Sequence, residues 1–243
     1  MTRNIKLIVE YDGTAYFGWQ YQVAMPTVQD VLETAIHKLT GETVRVTAAG
    51  RTDTGVHARG QVVNFPLTRD LPEYNIKMGL NAHLPDDVVV KSAEIVSATF
   101  NARFDATARV YQYFLTNEVS ALHRNYCWQM FQPMNTEVFA ELAAMLTGDH
   151  DFGAFCRVET DTEHKRCIIS ESFWRQENGF WIYRVTANRF LHGMVRTLVG
   201  TMVDVAKARF SVTDFQEIFQ SCDRTTAGPA APAKGLVLEE VVY

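Results

Sequence analysis

The stretch AGRTDTGVHARGQV, residues 49–62, joins two predicted strands in the first half of the chain. The strand before it covers about 43–49 and the strand after it about 60–66, and the glycine, threonine and aspartate between them are typical of a turn. Nearer the N-terminus, IKLIVE (5–10) is predicted as a strand and about 27–40 as a helix. The chain therefore starts with the order strand, helix, strand, strand.

The helix at 27–40 is predicted from its apolar face and from both of its ends. Its apolar residues recur at spacings of three and four, which is typical of an amphipathic helix. Thr27 with Asp30 resembles a capping box at the start. Gly41 is a predicted stop, since glycine readily adopts the left-handed conformation that ends many helices.

The second half of the chain repeats the order of the first. A short helix near 73–82 and a strand near 87–97 complete the first half as strand, helix, strand, strand, helix, strand. The predicted elements of the second half are strands near 109–116, 166–174, 179–187 and 235–242, helices near 136–147, 190–207 and 213–220, and a hairpin turn at Glu177-Asn178-Gly179.

Two successive βαββαβ units predict an α+β protein made of two ferredoxin-like halves with mixed or antiparallel sheets. We place the first half, which carries the turn-rich stretch, at residues 1–105 and the second half at 106–243. Two such sheets are expected to meet at a central cleft, where a ligand would bind. The architecture alone does not specify a function.

The composition is that of an ordinary globular protein, with 47% hydrophobic and 21% charged residues. The chain has no run of about 18 apolar residues that would predict a membrane helix. Its first residues lack the apolar core of a signal peptide, so we expect a cytoplasmic location. Four well-separated cysteines without CxxC spacing predict reduced thiols rather than a zinc site or disulfides.

The net charge of −5 weighs against a nucleic-acid partner, because such proteins usually carry a basic excess. It does not exclude one, since phosphate binding requires a local basic stripe rather than a basic total. A nucleic-acid function would therefore require arginines clustered beside the functional motifs.

The turn-rich stretch holds the residues best suited to chemistry. Arg51 and Asp53 flank Thr52, and Gly50 and Gly55 permit tight or positive-φ backbone. An arginine this close can keep a carboxylate ionised, as a nucleophile or an electrostatic stabiliser requires. The alternative is that Asp53 only caps an Asx turn, which composition alone favours.

A second alternative is an aspartic protease, because Asp53-Thr54-Gly55 spells the DTG of those enzymes. Two carboxylates must share a proton in that mechanism, so the chain would need another DTG or a dimer. The sequence has no second DTG, and Arg51-Thr52 before the motif is unlike the apolar strand that such a loop follows. We therefore disfavour the protease interpretation.

The sequence resembles the bacterial tRNA pseudouridine synthase A (TruA) family. GRTDTGVHARGQV (50–62) is similar to the signature loop of that family, and seven further segments are similar to family segments in the same order. They are YDGTAYFGWQ (11–20), TVQDVLETAIHKLTG (27–41), GLNAHLPDDVVV (79–90), FNARFDATARVYQY (100–113), GDHDFGAFC (148–156), NRFLHGMVRTLVGTMV (188–203) and APAKGLVLEEVVY (231–243). The two-lobed fold of the family agrees with the duplicated βαββαβ order.

The resemblance implies an isomerase that converts uridine to pseudouridine in the anticodon stem-loop of tRNA, at positions 38, 39 and 40. The glycosidic bond to N1 breaks and the base is rejoined through C5. No atom is lost and no electron is transferred, so the resemblance implies neither a cofactor nor a metal. It also implies a homodimer in which one tRNA contacts both subunits.

Three catalytic residues follow from the resemblance. Asp53 matches the catalytic aspartate, and whether it attacks the sugar, attacks the base or removes a proton stays open. Tyr111 matches the active-site tyrosine, which could stack on the uracil or transfer a proton at C5. The alternative is that Tyr111 and Tyr113, which share a strand face, both fill the core, and this is the expectation for Tyr113. Arg196 matches a helix arginine that would pair with the aspartate; the alternative is an arginine that reaches solvent.

Several arginines beside the motifs are candidates for binding RNA. Arg51 is expected to contact the flipped nucleotide or its phosphate. The other candidates are Arg59, Arg103, Arg109, Arg184 and Arg189. Asn101 and Gly193 depart from histidines that are common in the family, which concerns RNA contact rather than catalysis. We assign no catalytic part to His57.

A competing hypothesis is a catalytically inert RNA-binding protein or RNA chaperone on the same scaffold. Retention of Asp53, Tyr111 and Arg196 argues against it, because binding alone does not require a paired buried carboxylate. Normal RNA affinity without isomerase activity would favour it.

Overall fold

The computed structural model describes residues 2–157, 162 and 164–243, and the chain divides into two compact units. The first unit comprises Met1–Thr107 and Val237–Tyr243, and the second comprises Ala108–Leu236. Both units combine helices with a β-sheet, so the predicted α+β class is confirmed. No helix within the described residues has both the length and the apolar character needed to cross a membrane.

The first unit contains four strands from the N-terminal part of the chain and one from its end. They are β1 (Arg3–Tyr11), β2 (Thr47–Ala48), β3 (His57–Leu67), β4 (Val88–Val96) and, after the five strands of the second unit, β10 (Leu236–Val242). The strand order is β4-β1-β3-β10, with β2 beside β3. Strand β1 runs antiparallel to β3 and β4, and β10 runs parallel to β3.

Helices α1 (Val28–Thr40) and α2 (Glu73–Asn81) belong to the first unit. The Thr27 hydroxyl accepts a hydrogen bond from the Asp30 N–H at 3.4 Å, and Gly41 ends α1 with a φ of +77°. Both predicted ends of this helix are therefore confirmed. Strand β1 alternates buried and partly exposed residues along most of its length, as a strand with one face in the core requires.

The second unit contains five strands and three helices. They are β5 (Ala108–Thr116), β6 (Trp128–Gln129), α3 (Val138–Ala144), β7 (Gly148–Asp151), β8 (Arg166–Glu177), β9 (Phe180–Ala187), α4 (Met194–Ala206) and α5 (Val212–Ser221). The strand order is β5-β9-β8-β7, with β6 parallel to β5. The predicted hairpin turn between β8 and β9 is confirmed, and its residues Asn178 and Gly179 have φ values of +50° and +81°, as in a type I′ turn.

The second unit departs from the predicted order in its fourth main strand. The C-terminal strand pairs with β3 of the first unit, and β7, which was not predicted, pairs with β8 instead. The sequence of β7 is GDHD, which has no apolar alternation to reveal a strand. The predicted boundary at 105/106 lies next to the start of this unit, and β10 returns to the first.

Other boundaries differ for local reasons. The predicted strand at 43–49 is reduced to the two residues of β2, and β3 starts at His57 rather than near residue 60. Helix α4 starts at Met194 rather than near 190, because Gly193 before it has a φ of +74° and interrupts the helical backbone.

Helix α4 depends on a glycine at a close backbone contact. A methyl group at Gly200 would overlap the carbonyl oxygen of Pro229, which cannot rotate away. We expect Gly200→Ala to lower the free energy of unfolding by about 2–3 kcal/mol. Gly79→Ala, in the interior of α2, is the matched control: its methyl would meet the Leu39 side chain at 2.5 Å, and that side chain can move.

Chemical denaturation of both variants measures the difference. Gly79→Ala should change the free energy of unfolding by less than about 1 kcal/mol, since alanine also favours the helix. Equal losses in the two variants would show that backbone crowding at α4 is not the controlling factor.

Candidate active site

The stretch around Asp53 lies against residues 13–19 of the first unit. The Trp19 N–H donates a hydrogen bond to the Thr52 carbonyl at 3.0 Å, and the Gly55 N–H donates to the Tyr16 carbonyl at 3.3 Å. We call residues 50–56 the catalytic loop, because they include the predicted catalytic residue Asp53. Its two backbone hydrogen bonds to a neighbouring segment hold it in one place on the unit.

Two glycines make this close approach possible. A methyl group at Gly18 would lie 2.7 Å from the Thr52 carbonyl oxygen, and Gly18 also has a φ of +86°. A methyl group at Gly13 would overlap the Val56 carbonyl oxygen. Any larger side chain at either position would push the catalytic loop away from residues 13–19.

Three buried polar side chains connect the catalytic loop to strands β1 and β3: Thr52 in the loop itself, Tyr11 on β1 and Gln61 on β3. The Tyr11 hydroxyl and the Thr52 hydroxyl are 2.7 Å apart, and the Gln61 amide nitrogen donates to the Gly50 carbonyl at 2.8 Å. Burial raises the pKa of Tyr11 to about 12, and hydrogen bonds with Thr52 and Gln61 oppose that rise. Tyr11 is therefore a neutral phenol at physiological pH.

The local backbone bears on whether Asp53 only caps a turn. An aspartate that caps an Asx turn accepts hydrogen bonds from the N–H groups two or three residues later. Here the Gly55 N–H donates to Tyr16, and the Val56 N–H donates to the backbone carbonyl of Asp53 at 3.1 Å. The Val56 hydrogen bond therefore closes the turn through the backbone, and Asp53 itself is half-buried.

Arg51 is exposed and forms no hydrogen bond or ion pair with the described residues. His57, by contrast, is buried at the start of β3, where its Nδ1 lies 3.0 Å from the Gly13 backbone nitrogen and 3.1 Å from Asp12 Oδ1. These contacts join β3 to the turn after β1. They agree with the structural rather than catalytic part predicted for His57.

Tyr111 and Tyr113 lie on β5 of the second unit. The Tyr111 ring is 8% exposed and packs edge-on against Phe190, with 5.1 Å between ring centroids. Tyr113 is fully buried, and its hydroxyl donates to the Pro232 carbonyl at 2.8 Å. Tyr113 is therefore the core residue that the sequence predicted.

Arg196 is the one residue of α4 that is not buried. Its Nε donates to the Ala231 carbonyl at 2.8 Å, and the Ala231 N–H donates to the Arg196 carbonyl at 2.9 Å. Two hydrogen bonds thus tie one turn of α4 to the segment before β10. The alternative interpretation required an Arg196 side chain that extends into solvent. Here the side chain is half-buried and held against the protein by its hydrogen bond to Ala231.

The remaining predicted RNA-binding arginines differ in how far they are engaged. Arg59 pairs with Glu239 at 2.8 Å, and Arg109 donates to the Asn188 carbonyl at 2.8 Å. Arg103 is exposed, with its guanidinium 5.4 Å from the centre of the Phe104 ring. Arg189 is half-buried.

The contacts of Tyr11 and Gln61 could not be predicted from sequence. Tyr11 is the last residue of a strand and Gln61 lies inside another, and both positions resemble ordinary sheet residues. Only the pairing of β1 with β3 brings them together beneath the catalytic loop. The described residues contain no group of three His, Cys, Asp or Glu side chains that could hold a metal ion.

A sequence profile of the family described as tRNA pseudouridine synthase matches residues 7–105 and 142–243. The chain belongs to the tRNA pseudouridine synthase family. The first matched segment contains the catalytic loop and the second contains Arg196, whereas Tyr111 lies between them. The predicted resemblance and the predicted isomerase class are confirmed, and the aspartic protease alternative is abandoned.

Relatives match over nearly their full length. The protein named tRNA pseudouridine synthase A of Thermoanaerobacter sp. (strain X514) is 41% identical over 244 residues, covering 99% of this chain and 100% of its own. The protein of that name from Caldicellulosiruptor saccharolyticus is 40% identical over 243 residues, with the same two coverages. That from Chlorobium luteolum is 41% identical over 242 residues, covering 99% of this chain and 96% of its own.

The close packing of the catalytic loop against residues 13–19 can be tested by a substitution at Gly18. Gly18→Ala places a methyl group against the Thr52 carbonyl at a positive φ, so we expect a loss of about 3 kcal/mol in the free energy of unfolding. Gly41→Ala is the matched control, since Gly41 also has a positive φ but has no atom within 4 Å of the added methyl. Its loss should be about 1 kcal/mol.

Urea unfolding of the two variants gives both values. A Gly18→Ala protein as stable as Gly41→Ala would mean that the loop moves aside at no cost, contrary to its tight fit.

Proposed function

We propose that this protein isomerises uridine to pseudouridine in tRNA, in the anticodon stem-loop at positions 38, 39 and 40, with Asp53 as the catalytic carboxylate. The proposal rests above all on the family match across the catalytic loop. The names of the relatives support tRNA as the substrate. No cofactor or metal is part of the proposal.

The reaction requires an anionic group that can stabilise positive charge on the ribose. Breaking the bond between N1 and C1′ builds positive charge at C1′, which a nearby anion can stabilise or trap. The base then turns so that C5 bonds to C1′, the proton leaves C5 and N1 gains a proton. Attack on the sugar, attack on the base and proton removal all remain roles that a carboxylate could perform.

The catalytic loop supports this role for Asp53. Backbone hydrogen bonds join Thr52 of the loop to Trp19 and Gly55 of the loop to Tyr16, so the loop is preorganised before substrate binds. Asp53 is half-buried in this loop, and a backbone hydrogen bond from Val56 fixes the turn that it begins. Preorganised charge in a half-buried position acts more strongly than the same charge in water.

We propose that Tyr111 and Arg196 act in the same reaction. The Tyr111 ring is held edge-on by Phe190, so one ring face could stack on the uracil or its hydroxyl could move the C5 proton. Arg196 is oriented by Ala231 and would keep a carboxylate ionised. The inert RNA-binding protein is the alternative that the test below separates.

The first test compares wild-type protein, Asp53→Asn and Asp86→Asn on an unmodified tRNA transcript. Asp53→Asn keeps the shape of the side chain but removes its charge, so we expect pseudouridine formation to fall on the order of a thousandfold or more. Asp86→Asn changes an exposed aspartate outside the catalytic loop and should retain activity. Chemical labelling maps the product to individual uridines.

Equilibrium binding of the same transcript completes the comparison. Asp53→Asn should bind tRNA about as well as wild type, since a carboxylate does not attract phosphate. Product outside the anticodon arm would refute the proposed positions. Tight binding by all three proteins with no product from any would favour the inert RNA-binding alternative.

A second test compares two arginines of the predicted RNA surface. Arg51 has no described partner, whereas Arg59 is paired with Glu239, so Arg51→Gln should weaken tRNA binding more than Arg59→Gln. If Arg51 contacts a phosphate, its loss should also reduce the slope of log affinity against log salt by about 1. Filter binding at several salt concentrations measures both quantities, and equal effects would contradict the assignment.

We further propose a cytoplasmic homodimer, since the tRNA substrate is cytoplasmic and the family resemblance implies two subunits on one tRNA. Light scattering during gel filtration measures the mass of the free protein. A monomer mass at all concentrations would refute the dimer without affecting the proposed reaction.

A further inference from the structure

The polar side chain of Thr52, inside the catalytic loop, is buried with those of Tyr11 and Gln61, which contact the loop, although none of the three has a part in the reaction described above. We propose that these three residues are positioning residues, which fix the catalytic loop so that Arg51 and Asp53 leave it in set directions. We call them the loop support. The inference rests on the proposed function, because it assigns the loop support a role in that same reaction.

Thr52 is held from two sides. Its hydroxyl pairs with the Tyr11 hydroxyl at 2.7 Å, and its carbonyl accepts the Trp19 N–H at 3.0 Å. Side chain and backbone of one residue are therefore both fixed, which leaves little freedom for rotation about Thr52. Its neighbours in the chain are Arg51 and Asp53, the two residues of the loop that are proposed to meet the substrate.

Gln61 fixes the other side of Arg51. Its amide nitrogen donates to the Gly50 carbonyl at 2.8 Å, across the turn from β3 back to the start of the catalytic loop. Gly50 and Thr52 are thus anchored on either side of Arg51. Gly55, two residues beyond Asp53, is anchored by its hydrogen bond to Tyr16. Hydrogen-bonded residues therefore lie on both sides of Arg51 and of Asp53, the two residues that are proposed to act.

Stability alone does not account for this arrangement. Gln61 is fully buried, and its carbonyl oxygen Oε1 accepts no hydrogen bond from the described residues. A buried acceptor without a partner destabilises a fold by about 1–3 kcal/mol, so an apolar side chain would serve packing better. Glutamine adds a directional hydrogen bond to the Gly50 carbonyl, and we assign to that bond the role of holding the loop in place.

The loop support works without titrating. Burial raises the pKa of Tyr11 to about 12, so its hydroxyl stays protonated across the range in which the enzyme would act. Removing that hydroxyl should therefore lower the rate by the same factor at every pH between about 6 and 9. A residue that itself exchanged protons with substrate would instead change the shape of the pH profile.

The experiment compares Tyr11→Phe with Tyr183→Phe. Tyr183 is also fully buried, and its hydroxyl pairs with that of Ser172 at 2.9 Å, far along the chain from the catalytic loop. Each variant removes the hydrogen-bonded hydroxyl of a fully buried tyrosine, so a lower melting temperature is expected in both. Only Tyr11→Phe should lower kcat, on the order of tenfold, with KM unchanged within about twofold.

Thr52 provides a rescue within the same design. Thr52→Val keeps the shape of the side chain and removes the hydroxyl, so it should lower kcat by a similar factor. Thr52→Ser keeps the hydroxyl and should retain kcat within about threefold of wild type. A fall in Thr52→Ser equal to that in Thr52→Val would mean that the hydroxyl contact with Tyr11 is not what matters.

Amide hydrogen exchange in the free protein gives a readout that does not require activity. Tyr11→Phe should speed exchange of the Trp19, Gly55 and Val56 amides, and Tyr183→Phe should not. Unchanged exchange in Tyr11→Phe, an equal loss of kcat in Tyr183→Phe, or a change in KM alone would each overturn the loop support. A wild-type protein that makes no pseudouridine would refute the proposed function, and the exchange result would still decide whether Tyr11 holds the loop.

Discussion

The close approach of the catalytic loop to residues 13–19 is the constraint on which the candidate site depends. Two backbone segments can lie this near only because Gly13 and Gly18 have no side chain to separate them. Once they meet, each supplies hydrogen-bond partners to the other, from Trp19 to Thr52 and from Gly55 to Tyr16. A loop that would otherwise be exposed to water therefore has the fixed backbone of a regular element.

Much of the fold could be predicted from sequence because its larger elements carry clear patterns. Helix α1 shows a regular apolar face with a threonine before it and a glycine after it, and Asn178-Gly179 is nearly diagnostic of a hairpin. The short strands β6 and β7 have too few residues to show any period. The pairing of β10 with β3 is a long-range contact that leaves no mark on local sequence.

The residues of the candidate site also fall into those that could be predicted from sequence and those that could not. Asp53 and Arg51 could be proposed from a short motif, because chemistry-bearing residues next to glycines in a turn are conspicuous. Tyr11 and Gln61 could not, since they touch the loop only after β1 and β3 have paired. Arg196 could be proposed from its helix motif, whereas its contact with Ala231 depends on how the chain returns after α5.

The position of β10 affects the order in which the first unit can fold during synthesis on the ribosome. Val237 and Leu238 pair with His57 and Ala58, the residues that directly follow the catalytic loop. All of the second unit, Ala108–Leu236, is synthesised before these partners emerge. The end of β3 beside the catalytic loop therefore lacks this neighbour until Val237 and Leu238 have been made, whereas β2 can already pair with Val63 and Asn64 farther along the strand.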